Sequence, residues 1–108
     1  MDKIIRQGDV LLVPVPKMPA KVIAVNGENG RFVLAHGEAT GHHHSFAMCD
    51  RVALFREDGS GGGLFLSVSG APAALEHQEH TALTIPVGNY AVVRQVEYQP
   101  DAIRQVQD

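Results

Sequence analysis

Five of the six histidines fall in two short segments, His42-His43-His44 and the outer positions of His77-Gln78-Glu79-His80, and imidazoles grouped in this way are side chains suited to holding a transition metal. In an extended Thr40-Gly41-His42-His43-His44-Ser45-Phe46, successive side chains alternate, so His42 and His44 share one face and His43 points to the other. Two rings on one face can share an ion bound at about 2.0 to 2.1 Å. His77 and His80 stand at i and i+3, which share a face on a helical turn but not on a regular strand. A common site therefore requires a turn, a bulge or a helical start at 77–80. The expected ligands are His42, His44, His77 and His80, with zinc as the first metal and nickel or iron after it.

Four imidazoles close a tetrahedral set, whereas three plus water leave a position at which metal-activated water can attack a small substrate. Glu38 and Glu79 are the candidate acid/base residues for such a step. Glu38, Glu76 or Glu79 could instead complete a two-histidine, one-carboxylate set for iron, or orient a ligand histidine. Cys49 is a further donor, though a single thiol reads more simply as a packed residue. His36, isolated after an apolar run, reads as structural.

Other chemistries fit these residues less well. His77-Gln78-Glu79-His80 lacks the spacing of the zinc protease motif HExxH, whose histidines are four apart with the base directly after the first. Ser45 or Cys49 with His77 as base would need a nucleophile-elbow glycine pattern and an orienting third residue, and neither is present. The competing reading of a different class is a non-enzymatic interaction or structural module whose histidines are solvated surface and bind no metal.

The elements that must position these histidines read as strands. Val10-Leu11-Leu12-Val13 is a short apolar run that Pro14 and Pro16 close. Lys21 to Val25 suits a short edge strand, Asn26 to Gly30 a hairpin turn, and Arg31 to Ala35 the returning strand. Val52 to Arg56 and Leu64 to Val68 form a hairpin around the tip Asp58-Gly59-Ser60-Gly61-Gly62-Gly63. No Lys-Ser or Lys-Thr follows those glycines, so they do not read as a phosphate cradle. Ala73 to His80 is rich in helix formers but short, and could equally be a turn or bulged strand. Thr81 to Val87 alternates, Pro86 to Asn89 turns, and Tyr90 to Tyr98 is the clearest strand, ended by Pro100 before a docked tail carrying Ile103 and Val106.

The expectation is an all-β chain, one domain over residues 1–108, built as a small barrel or sandwich of about seven to eight short strands with at most one short helical turn. Hydrophobic residues make up 44% and aromatics only 6% with no Trp, so the core must come from Val, Leu, Ile and Ala. Nine Lys and Arg are scattered within a net charge of -3, which disfavours nucleic acid, whose phosphates need clustered positive charge. No apolar run approaches the roughly 20 residues that span a bilayer, and the lone Cys49 suits a reducing compartment, so a cytoplasmic protein without a membrane partner is expected. A small core with few aromatics gains stability by pairing, and a homodimer is expected.

The blocks Arg6-Gln7-Gly8-Asp9-Val10-Leu11-Leu12, Gly37-Glu38-Ala39-Thr40-Gly41-His42-His43-His44, Leu75-Glu76-His77-Gln78-Glu79-His80, Gly88-Asn89-Tyr90 and Gln95-Val96-Glu97-Tyr98 span nearly the whole chain. In this order they resemble a group of small, functionally uncharacterised bacterial and phage-associated proteins with a GExTGHxH and HxEH pattern. The resemblance implies that His42, His44, His77 and His80 are the recurring positions and His43 the variable one; it implies no activity. The HxH segment also loosely resembles that of cupins, but the glutamate that follows it there has no match here, so cupin function is not carried over.

Overall fold

The computed structural model describes residues 3–37, 41–59 and 62–95, and among them apolar residues and frequent turns give strands as the regular structure. Ten strands follow one another: β1 (Ile5–Gln7), β2 (Val10–Val15), β3 (Val22–Ala24), β4 (Arg31–His36), β5 (His43–Ala47), β6 (Val52–Glu57), β7 (Leu64–Val68), β8 (Ala73–Leu75), β9 (Leu83–Ile85) and β10 (Gly88–Arg94). The two beyond the sequence expectation are β1 and β8, three-residue strands too short to display a period. Among the described residues there is no helix, and so none long and apolar enough to cross a membrane.

Six strands form one antiparallel sheet in the order β1-β2-β10-β7-β6-β3. The sheet does not close on itself, since β1 and β3 at its two ends each pair with a single neighbour; the architecture is sandwich-like, not a closed barrel. Opposite it, the hairpin β4-β5 and the pair β8-β9 are joined by reciprocal backbone hydrogen bonds between Ser45 and Glu76, of 2.9 and 2.8 Å. The core lies between the layers. Val10, Leu12, Leu54, Leu66, Val68 and Tyr90 come from the large sheet, and Leu34, Phe46, Leu75 and Ile85 from the smaller one, all buried in one cluster. Each such side chain contributes roughly 1.5 to 3 kcal/mol by leaving water.

Two local expectations are corrected and one open choice is resolved. Pro14 does not close β2, which runs on to Val15. The short β1 pairs only with Val10 to Leu12, so at Pro14 the strand has a partner only in β10 and a missing N–H is tolerated as on an edge. Asn26 to Gly30 turns the chain, with Asn29 at φ 49° and Gly30 at φ 78°, but it joins no hairpin. Strand β3 pairs with β6 while β4 pairs with β5, so this turn carries the chain from one layer to the other. Ala73 to Leu75 is strand and not helix: eight residues nucleate a helix poorly, and pairing with β9 and burial of Leu75 outweigh propensity. The expected strand residues Val96 to Tyr98 and the tail with Ile103 and Val106 lie outside the described residues, as do Ser60 and Gly61 of the hairpin tip.

Candidate metal centre

The Ser45–Glu76 tie brings the two histidine segments together. His42 precedes β5 and His44 lies within it, while β8 ends at Leu75 and the chain bends through 78–80, which presents His77 and His80. The irregular backbone that a shared site requires is therefore there, capped by the amides of Glu79 and His80, which donate to His77 Nδ1 at 3.0 and 3.3 Å. All four expected histidines line one cleft of 380 Å³ with Asp9, Gly37, Glu79 and Arg94. His77 is its hub, with ring centroids 4.4 Å from His44, 4.7 Å from His80 and 5.6 Å from His42. His44 and His80 stack at 5.8 Å.

Two glycines permit this crowding. Gly8 has φ +61°, and a Cβ there would stand 2.8 Å from His80 Nε2 and 3.1 Å from His44 Cε1. A Cβ on Gly37 would meet His42 Cβ at 3.1 Å.

His44 is the buried member, its side chain 3% exposed. Burial, reinforced by His77, lowers its pKa to about 4 against the opposing pull of Asp9. Burial and then the neighbouring His80 and His42 lower His77 too. Burial acts to raise Asp9, but the hydrogen bond and charge of Arg94 outweigh it and hold the carboxyl below its ordinary range. At neutral pH the cleft thus contains an uncharged His44 facing an ionised Asp9.

The remaining candidates are placed as follows. Glu79 is at the rim, its carboxylate 3.9 Å from His42 Nδ1 and 71% exposed. Glu38 lies outside the described residues. Glu76 is turned away and pairs with Arg31, and Cys49 is exposed and does not line the cleft. His43 faces the other side of β5, where its Nδ1 lies 2.9 Å from Ser45 Oγ and Gln78 Oε1 accepts from its backbone amide. His36 packs edge-on against His43 and is mostly exposed. Ser45 is buried, its hydroxyl accepting from Arg31 Nε at 2.6 Å and lying 2.9 Å from His43 Nδ1, so its polar contacts are to Arg31 and His43.

Sequence reasoning missed Gln7, Asp9 and Arg94. Gly8-Asp9 read as a turn alone, although Gln7 falls on the inward face of Ile5-Arg6-Gln7, and a polar residue there is a signal of buried hydrogen bonding. Arg94, at the end of β10, donates to Asp9 Oδ2 and to the His36 carbonyl, both at 2.7 Å. Among the described residues, no three His, Cys, Asp or Glu donors already converge at metal-binding distance; what is in place is a group of imidazoles of which His44 and His77 each have Nδ1 engaged by a protein partner.

Residues 6–95 match the family model described as a domain of unknown function, DUF8820. No curated protein and no solved structure is matched.

Proposed function

This chain belongs to the DUF8820 family, and we propose that it binds a transition metal, zinc first and nickel or iron after it, in the cleft formed by His42, His44, His77 and His80. The observation that carries the reading is the packing of His42, His44 and His80 around His77, their ring centroids 4.4 to 5.6 Å from its own, although the four come from two distant segments. Histidines crowded on one cleft repel one another once protonated, an arrangement with little to recommend it as plain surface and much as a ligand set. Neutral nitrogen donors with a nearby carboxylate suit a borderline cation of the zinc type.

A zinc ion held by only three of the four would keep a position for water and lower that water's pKa. Glu79, at the rim beside His42, stands where it would take or return the proton, so the reading extends to water chemistry on a small substrate. Self-association belongs to the same reading, and the open β3 edge, where Ile23 is 57% exposed, supports it.

The test is metal content of untagged protein purified without chelator, beside His42→Ala and His77→Ala. Stoichiometric metal lost from both variants supports one shared site. An unaltered chain that carries no metal and gains no thermal stability from added zinc refutes it.

A further inference from the structure

The fold dictates the hydrogen position of the buried His44 through a side chain, Gln7. Gln7 is buried, and its amide nitrogen donates to the carbonyl oxygens of Leu75 and Thr81, each at 3.0 Å. Carbonyl oxygens only accept, so the amide cannot be turned around and Gln7 Oε1 is the atom 2.9 Å from His44 Nδ1. The neutral ring therefore donates from Nδ1 and carries a bare lone pair on Nε2. That lone pair faces Asp9 Oδ1 at 3.6 Å, while the other carboxylate oxygen is held by Arg94. When the ring is neutral, as a metal-ligating imidazole must be, Nε2 and Asp9 Oδ1 both present lone pairs to the space between them.

We propose that His44 Nε2 and Asp9 Oδ1 are the preset donors of the metal site, with Asp9 a carboxylate ligand and Gln7 and Arg94 the positioning residues that aim them. This rests on the metal reading above and adds a ligand from outside both histidine segments. Donors each about 2.05 Å from zinc stand roughly 3.3 Å apart at the tetrahedral angle, and a 3.6 Å separation corresponds to an angle of about 120°. The pair needs a shift of only a few tenths of an ångström to accept an ion. His77 is in the opposite condition: its Nδ1 accepts two backbone amides, so its proton sits on Nε2 and must move before that nitrogen can ligate. His44 and Asp9 thus seat the ion, and the bend at 77–80 closes on it.

Zinc affinity of the full chain, measured by competition with a chromogenic chelator, tests the assignment alongside nitrogen-15 shifts of the His44 ring. Asp9→Asn is expected to weaken zinc at least tenfold, and Gln7→Leu by about 10 to 100-fold together with loss of the Nδ1–H form of His44. Gln7→Glu still accepts from Nδ1 and should keep that form and most of the affinity, even though it loses the bonds to Leu75 and Thr81; circular dichroism establishes that each variant is folded. Zinc binding that disappears in His42→Ala but is unchanged in Asp9→Asn overturns the role of Asp9 alone. A His44 ring protonated on Nε2 in the unaltered chain overturns the role of Gln7. Absence of zinc binding by the unaltered chain overturns the metal reading and this assignment with it.

Discussion

Lowering the pH of the metal-free protein from 8 to 5 should cost about 2 kcal/mol of folding stability through His44 alone. Its pKa falls from 6.5 in the unfolded chain to about 4 in the fold. A group whose folded pKa is depressed in this way binds more protons when unfolded, so acid favours unfolding in the window between the two values. At pH 5 the unfolded imidazole is almost fully protonated and the folded one only about one-tenth, and the ratio of the two binding terms corresponds to about 2 kcal/mol. Above pH 7.5 both forms are neutral and the contribution vanishes; below pH 4 it stops growing. His77, also lowered, acts in the same direction, whereas the depressed Asp9 loses its stabilising contribution only at lower pH, below the ordinary 3.8 of its carboxyl. With no Trp in the chain, urea titration is followed by far-ultraviolet circular dichroism, in the presence of a chelator and at pH 8, 6 and 5. His44→Gln supplies the comparison: it should be less stable at pH 8 yet flatter between pH 8 and 5 by about 2 kcal/mol. Equal pH slopes in the two proteins would refute the argument that burial keeps His44 neutral.

Gly8→Ala should lower thermal stability and weaken zinc together, because a Cβ at φ +61° is strained and lies 2.8 Å from His80 Nε2; a variant with unaltered zinc affinity would show that His80 can move without loss. Leu75→Ala, at a fully buried position, should cost about 2 to 5 kcal/mol in urea unfolding while the folded fraction keeps its zinc affinity, since Gln7 is anchored by the residue 75 backbone carbonyl and not by its side chain. Zinc at a hundredfold excess over its dissociation constant should raise stability by about 2.7 kcal/mol, read as an upward shift in the melting temperature that chelator reverses and His77→Ala abolishes. Ile23→Lys should leave the melting temperature within a degree or two but reduce any self-association seen by sedimentation, as the residue is exposed on an edge strand.

Much of the fold was legible because period-2 alternation survives in the longer strands. Val52 and Leu54 are buried as their alternation requires, and the apolar runs at 10–13 and Leu64–Val68 are strands whose buried members are Val10, Leu12, Leu66 and Val68. The four-histidine grouping was legible for the same reason: the strand parity of His42 and His44, set against the i, i+3 spacing of His77 and His80, demanded a backbone bend that is present. Pairing was not legible. Nothing local states that β3 joins β6 instead of β4, because the partner is chosen by burial across layers that no short window contains. Asp9 was hidden likewise: an Asp after a Gly reads as turn chemistry, and only the approach of β10 and β5 makes it face His44.

The pair of backbone hydrogen bonds between Ser45 and Glu76 closes a long stretch of chain, with the whole β6–β7 hairpin inside the loop. A chain with a single cysteine cannot lock that closure with an internal disulfide. An ion held on one side by His42 and His44 and on the other by His77 and His80 would do so reversibly, as a removable staple across roughly 30 residues. By the chain-entropy estimate, tying a loop of that length removes about 3 to 4 kcal/mol of freedom from the unfolded ensemble, provided the ion stays bound there. The supply of metal would then govern how long a copy of this small domain survives.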